Sequence, residues 1–116
     1  MLADAPLNDA TMHWGWNPTA GYKFAVLEGM VDTDSDGTVD TPFEYHLATD
    51  ALYSGFQLAP NINVETGEVR TLSLEIDVRD VIAGVDVKNN LDTHTNNEPA
   101  LAAQLMANLV TSVQLD

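Results

Sequence analysis

Eight residues past the middle of the chain, Thr71-Leu72-Ser73-Leu74-Glu75-Ile76-Asp77-Val78, alternate polar and apolar without a break. Successive side chains of a strand point to opposite faces, so Leu72, Leu74, Ile76 and Val78 share one face. A helix cannot sort residues at this spacing. The pattern predicts a strand over residues 68–78 with one buried face.

Two earlier segments read the same way. Residues 21–31 are rich in aromatic and β-branched side chains. In residues 42–48, Phe43, Tyr45 and Leu47 alternate with Glu44, His46 and Ala48. A further strand is expected at residues 53–58, closed by Pro60-Asn61 and a turn at Glu65-Thr66-Gly67, and a helical turn within residues 80–87. The chain ends in an amphipathic helix with Asn97 as expected N-cap and Glu98 and Pro99 in the first turn. Its stripe is Leu101, Leu105, Leu109 and Val113, with Met106 and Val110 beside them. The expected fold is all-β: a sandwich-like antiparallel sheet domain with one C-terminal α-helix. It occupies residues 1–116 as a single domain, without repeat or linker.

Charge narrows the partners. Asp and Glu number 18 against four Lys and Arg, for a formal net charge of -14. That balance repels phosphate backbones and anionic lipid, so neither nucleic acid nor a membrane is an expected partner, while multivalent cations are. No run of apolar residues is long enough to span a bilayer. Met1-Leu2-Ala3-Asp4-Ala5-Pro6 does not read as a signal peptide, so export would require one removed or lying upstream. Cysteine is absent, which excludes disulfides and thiolate metal sites. A transition-metal site is then expected to use histidine and oxygen.

The sharpest local motif is Asp32-Thr33-Asp34-Ser35-Asp36-Gly37-Thr38-Val39-Asp40. Carboxylates at alternate positions converge on one hard cation, glycine allows the sharp turn, and a carbonyl, here that of Thr38, adds an oxygen. Position twelve is Phe43 instead of a bidentate Glu, which rejects an EF-hand. The expectation is a Ca²⁺-binding hairpin loop with ligands Asp32, Asp34, Asp36, Thr38 and Asp40. The competing reading is a solvated acidic turn without an ion.

The three histidines, His13, His46 and His94, are far apart in sequence, and imidazole alone does not select a metal. His46 stands opposite the apolar face of its strand, and His94 lies in a loop before the helix. Both tryptophans fall in Met12-His13-Trp14-Gly15-Trp16, where a pair of aromatic core anchors is the plain alternative to a functional role.

Met12-His13-Trp14-Gly15-Trp16, Gly21-Tyr22-Lys23-Phe24 and Leu27-Glu28-Gly29 together resemble the central signature of MbnP-like domains. Phe43-Glu44-Tyr45-His46-Leu47 is similar to its next motif. The segment with Leu74-Glu75-Ile76-Asp77-Val78, His94 and the helix carrying Asn108 resembles the closing one. The resemblance runs from about residue 7 to the end and rests on the order of the motifs, not on any one of them.

It implies a periplasmic or secreted copper-binding protein, not an enzyme, with a di-haem peroxidase-like partner. It also implies copper held by histidines together with a tryptophan oxidised to kynurenine. Carried over, His46 and His94 are the ligands and Trp16 or Trp14 the modified residue. His13 stands where the family has an aromatic, and is a third ligand candidate. The family's N-terminal strands have no counterpart here, so the expectation is that they lie upstream or come from another chain or another copy of this one. The alternative function is an extracellular calcium-binding structural or adhesive β-module with no copper role. An enzyme ranks third, because no base, nucleophile and oxyanion donor are grouped in the sequence.

Overall fold

The computed structural model describes residues 23–116. Its elements run β1 (Lys23–Val31), β2 (Thr41–Ala48), a 3₁₀ turn (Asp50–Leu52), β3 (Leu74–Ile76), α1 (Val78–Val81), a second 3₁₀ turn (Val87–Asn89), β4 (Asp92–Thr93), α2 (Pro99–Ser112) and β5 (Val113–Leu115). The described strands form two small sheets, ordered β1-β2-β4 and β3-β5. The domain is β-rich with one long helix.

β1 and β2 make an antiparallel hairpin in which Leu27 faces Tyr45, Val26 faces His46 and Glu28 faces Glu44. Period two sends Tyr45 and Leu47 to one side, where they are buried, and Glu44 and His46 to the other. Gly29 lies opposite Phe43 in this register, and the aromatic ring fills the space a side chain would need. A Cβ at Gly29 would stand 2.8 Å from the ring.

The expectation of a wholly antiparallel sheet is corrected by β4, which pairs with β2 in parallel. Two parallel neighbours need a crossover of a dozen or more residues, and the excursion between Ala48 and Asp92 supplies it. α2 closes the core on the Tyr45 side. Ala102, Leu105 and Met106 are buried there with Tyr45 and Leu47, and Leu101, Leu109 and Val110 pack around them. Each fully buried leucine of this kind contributes about 1.5–3 kcal/mol.

The helix departs from expectation at both ends. Its N-cap is Glu98, without a side-chain capping bond, while Asn97 accepts instead from the His94 backbone N–H at 2.6 Å. Val113 opens β5 and does not extend the helical stripe. Asn108 donates to the carbonyls of Val81 and Ala83 at 2.9 and 3.0 Å, tying α2 to the segment after α1.

The alternating stretch at residues 68–78 is the largest correction. Only Leu74–Ile76 is strand, and it pairs with the equally short β5. Leu72, Leu74, Ile76 and Val78 are all roughly half exposed. Asp77 ends the strand, because its carboxylate takes the Arg79 N–H at 2.9 Å and caps α1. Residues 53–58 form no strand, and Tyr53 and Phe56 are exposed. The turn at residues 65–68 forms as read, with Glu68 N–H on the Glu65 carbonyl at 3.0 Å and Gly67 at φ 80°.

Candidate metal centre

The parallel register between β2 and β4 decides what meets on the polar face of the sheet. Glu44 pairs with Asp92 and Tyr45 with Thr93, so the next step along both strands carries His46 and His94 together. Their Nδ1 atoms lie 3.1 Å apart, with the rings steeply tilted at 69°. Thr95 fastens the loop that displays His94. Its hydroxyl accepts from Ala48 N–H at 2.9 Å and donates to the His46 carbonyl at 2.8 Å, while its own N–H donates to the Thr93 hydroxyl at 3.0 Å. Thr95 is buried and stands at φ 71°, a left-handed conformation that a β-branched residue rarely adopts. It holds that strained backbone at the junction that brings the two rings together.

Carboxylates flank the pair. Glu28 lies diagonally across the hairpin from His46, a separation a long side chain spans. Its Oε1 is 2.8 Å from His46 Nε2. Asp92 Oδ2 lies 3.9 Å from His94 Nε2, beyond a direct hydrogen bond, and accepts from Asn97 Nδ2 at 3.0 Å. His46 is mostly shielded, with 12% of its side chain exposed, whereas His94 at 41% opens to solvent. Two imidazoles this close can share one cation, since metal–imidazole bonds of roughly 2 Å keep both nitrogens within about 4 Å of each other.

His13, Trp14 and Trp16 lie outside the described residues. Sequence reading passed over Glu28, Asp92, Thr95 and Asn97 as parts of this site. Glu28 had a signal, since alternation along β1 puts it on the outward face with Val26 and Met30. Thr95 had none, because its role depends on the β2–β4 junction.

The acidic loop is the second cluster. Asp32, Asp34 and Asp40 bring carboxylate oxygens within 4.8 Å of one another, and Asp36 is not part of that group. Much of the loop's negative charge already has donors. Asp32 accepts from the backbone of Ser35 and Gly37, both at 2.7 Å, Asp34 from Asp36 N–H and Asp36 from Thr38 N–H. Asp40 accepts from the Thr41 hydroxyl at 2.8 Å and from Thr33. These bonds, led by Gly37 N–H for Asp32 and by the Thr41 hydroxyl for Asp40, hold both carboxyls below the ordinary range. Lys88 Nζ reaches the Ser35 hydroxyl at 2.6 Å and sets a positive charge beside the loop.

The sequence model of one family matches residues 2–102, most of the chain, and that family is MbnP. The chain belongs to the MbnP family. Membership ties the chain to copper, and the matched span includes the hairpin, the acidic loop, both described histidines and the start of α2. No curated protein and no solved structure gives a significant match. Among the described residues no helix is long and apolar enough to cross a membrane.

Proposed function

We propose that this MbnP-family chain binds copper between His46 and His94 and serves in acquiring, storing or delivering it, as a binding protein and not as an enzyme. The observation that carries the reading is the 3.1 Å approach of the two Nδ1 atoms, made by residues 48 positions apart in the chain. Imidazole suits copper, and with no cysteine in the sequence it is the softest donor this fold offers apart from methionine sulfur. Two nitrogens do not complete a site. Two of the candidates that the resemblance supplies for a third ligand are His13 and an oxidised Trp16 or Trp14.

Oxidation of Trp16, or of Trp14, to kynurenine fits that need. An intact indole offers only an N–H donor, whereas kynurenine carries an aromatic amine. Dioxygen or peroxide chemistry by a di-haem peroxidase-like partner would supply the oxidant. The periplasm or cell exterior is the matching location. The acidic loop is proposed as a calcium site that stiffens the hairpin, on the convergence of Asp32, Asp34 and Asp40.

Copper titration against a competing chelator tests the reading. Wild-type protein should take one copper per chain, and His46→Ala or His94→Ala should weaken it by more than about 100-fold, beyond the usual reach of residues that only support a ligand. Asn89→Ala, on the exposed turn, should bind as wild type does. Full affinity in both histidine variants would refute the site. Protein from the native host should also gain about 4 Da on the peptide holding Trp14 and Trp16, one oxygen gained for one carbon lost.

A further inference from the structure

The hydrogen-bond pattern distinguishes the two histidines. The Glu28 carboxylate only accepts, so at 2.8 Å from His46 Nε2 it requires the proton there. A neutral His46 then presents a lone pair at Nδ1. The 3.1 Å contact with His94 Nδ1 needs one proton between the rings, and it must come from His94. Without metal, His46 is therefore the Nε2–H tautomer and His94 the Nδ1–H tautomer.

We propose that Glu28 is a positioning residue for the copper pair: it presets His46 as a ligand through Nδ1, and His94 changes tautomer when the ion arrives. Both Nδ1 lone pairs must face a shared ion, so the N–H bond at His94 Nδ1 breaks and one forms at Nε2. No net proton is released. Asp92 Oδ2, 3.9 Å from that nitrogen, is a carboxylate close enough to favour a proton there. Asn97 holds Asp92 at 3.0 Å and also takes the His94 backbone N–H, so one amide keeps ring and carboxylate in register. The more exposed ring is the one that changes, and the shielded ring stays fixed.

This inference rests on copper binding at the histidine pair, and the test separates the two. ¹⁵N-labelled histidine spectra of the full chain report which ring nitrogen carries the proton. They are recorded with and without metal in the same alkaline buffer. Metal-free wild type should show His46 as Nε2–H and His94 as Nδ1–H. Cu(I), which is diamagnetic, should shift the His46 Nδ1 resonance while leaving its proton on Nε2, and should convert His94 to Nε2–H. Glu28→Ala should scatter His46 between tautomers and lower copper affinity about 10–100-fold. Glu28→Gln, whose amide oxygen still accepts, should restore both, with the amide fingerprint showing all variants folded. Metal-free His46 protonated at Nδ1, or Glu28→Ala with an unchanged tautomer and affinity, overturns the assignment to Glu28 and leaves the copper site standing. Copper that perturbs neither ring in wild type overturns the site itself.

Discussion

Replacing Thr95 by valine keeps the shape of a buried side chain and removes one hydroxyl. That hydroxyl serves two groups at the end of β2, the Ala48 N–H at 2.9 Å and the His46 carbonyl at 2.8 Å. Ala48 is fully buried, so its N–H finds no water in exchange. A buried polar group left without a partner costs about 1–3 kcal/mol, and the carbonyl, nearer the open face, costs less. Thr95→Val should therefore destabilise the domain by about 2–4 kcal/mol. For a chain of this size that is a fall in Tm of roughly 8–15 °C. Urea unfolding with an unchanged slope gives the free energy directly, and thermal melts check it. Thr95→Ser keeps the hydroxyl and should stay within about 1 kcal/mol of wild type. Backbone strain sharpens the case, since a β-branched residue at φ 71° carries a cost of about 1–3 kcal/mol that other contacts must offset. If Thr95→Val unfolds within about 0.5 kcal/mol of wild type, the hydroxyl is not what fastens the His94 loop.

Three further outcomes follow from the same geometry. Gly29→Ala should cost about 1–3 kcal/mol in urea unfolding, because the new methyl meets the Phe43 ring and the hairpin must shift to admit it. Asp32 and Asp40 have folded pKa values below their unfolded ones, so their contribution is complete above about pH 4 and lost as pH falls through the lowered values; Asp40→Asn should flatten the acid limb of a stability–pH profile measured from pH 6 downward. Calcium at a hundredfold excess over its Kd should add about 2.7 kcal/mol to stability relative to EGTA. An unchanged melt would identify the loop as a solvated acidic turn held by its own backbone donors.

The hairpin was legible because its signals are local. Alternation through Phe43, Tyr45 and Leu47 set the buried face of β2, and the aspartates around Gly37 marked the connection. The helix was legible from Pro99 and the Leu105 stripe, though not its cap, because Asn97 had a stronger use at the His94 loop. Residues 68–78 show the limit. Alternation records what a strand would do if something covered it, and here the partner strand is only Val113–Leu115. The pairing of His46 with His94 came from the family resemblance and not from any local pattern, for a related reason. β4 is two residues long and has no periodicity of its own, yet its register alone decides that His94 meets His46. Thr95 and Asn97 look like ordinary loop residues until that register is known.

An ion shared by His46 and His94 would act as a removable tie across 48 positions of chain. Joining the ends of a flexible loop that long carries an entropic charge of roughly 3 kcal/mol, and a bond already in place spares the folded state from repeating it after each local opening. The clasped segment contains Tyr53, Phe56, Ile62, Val64 and Val69, all exposed apolar side chains of the kind proteases attack. Loaded protein would therefore resist nicking in this segment and empty protein would not. Metal occupancy would then be readable as protease resistance.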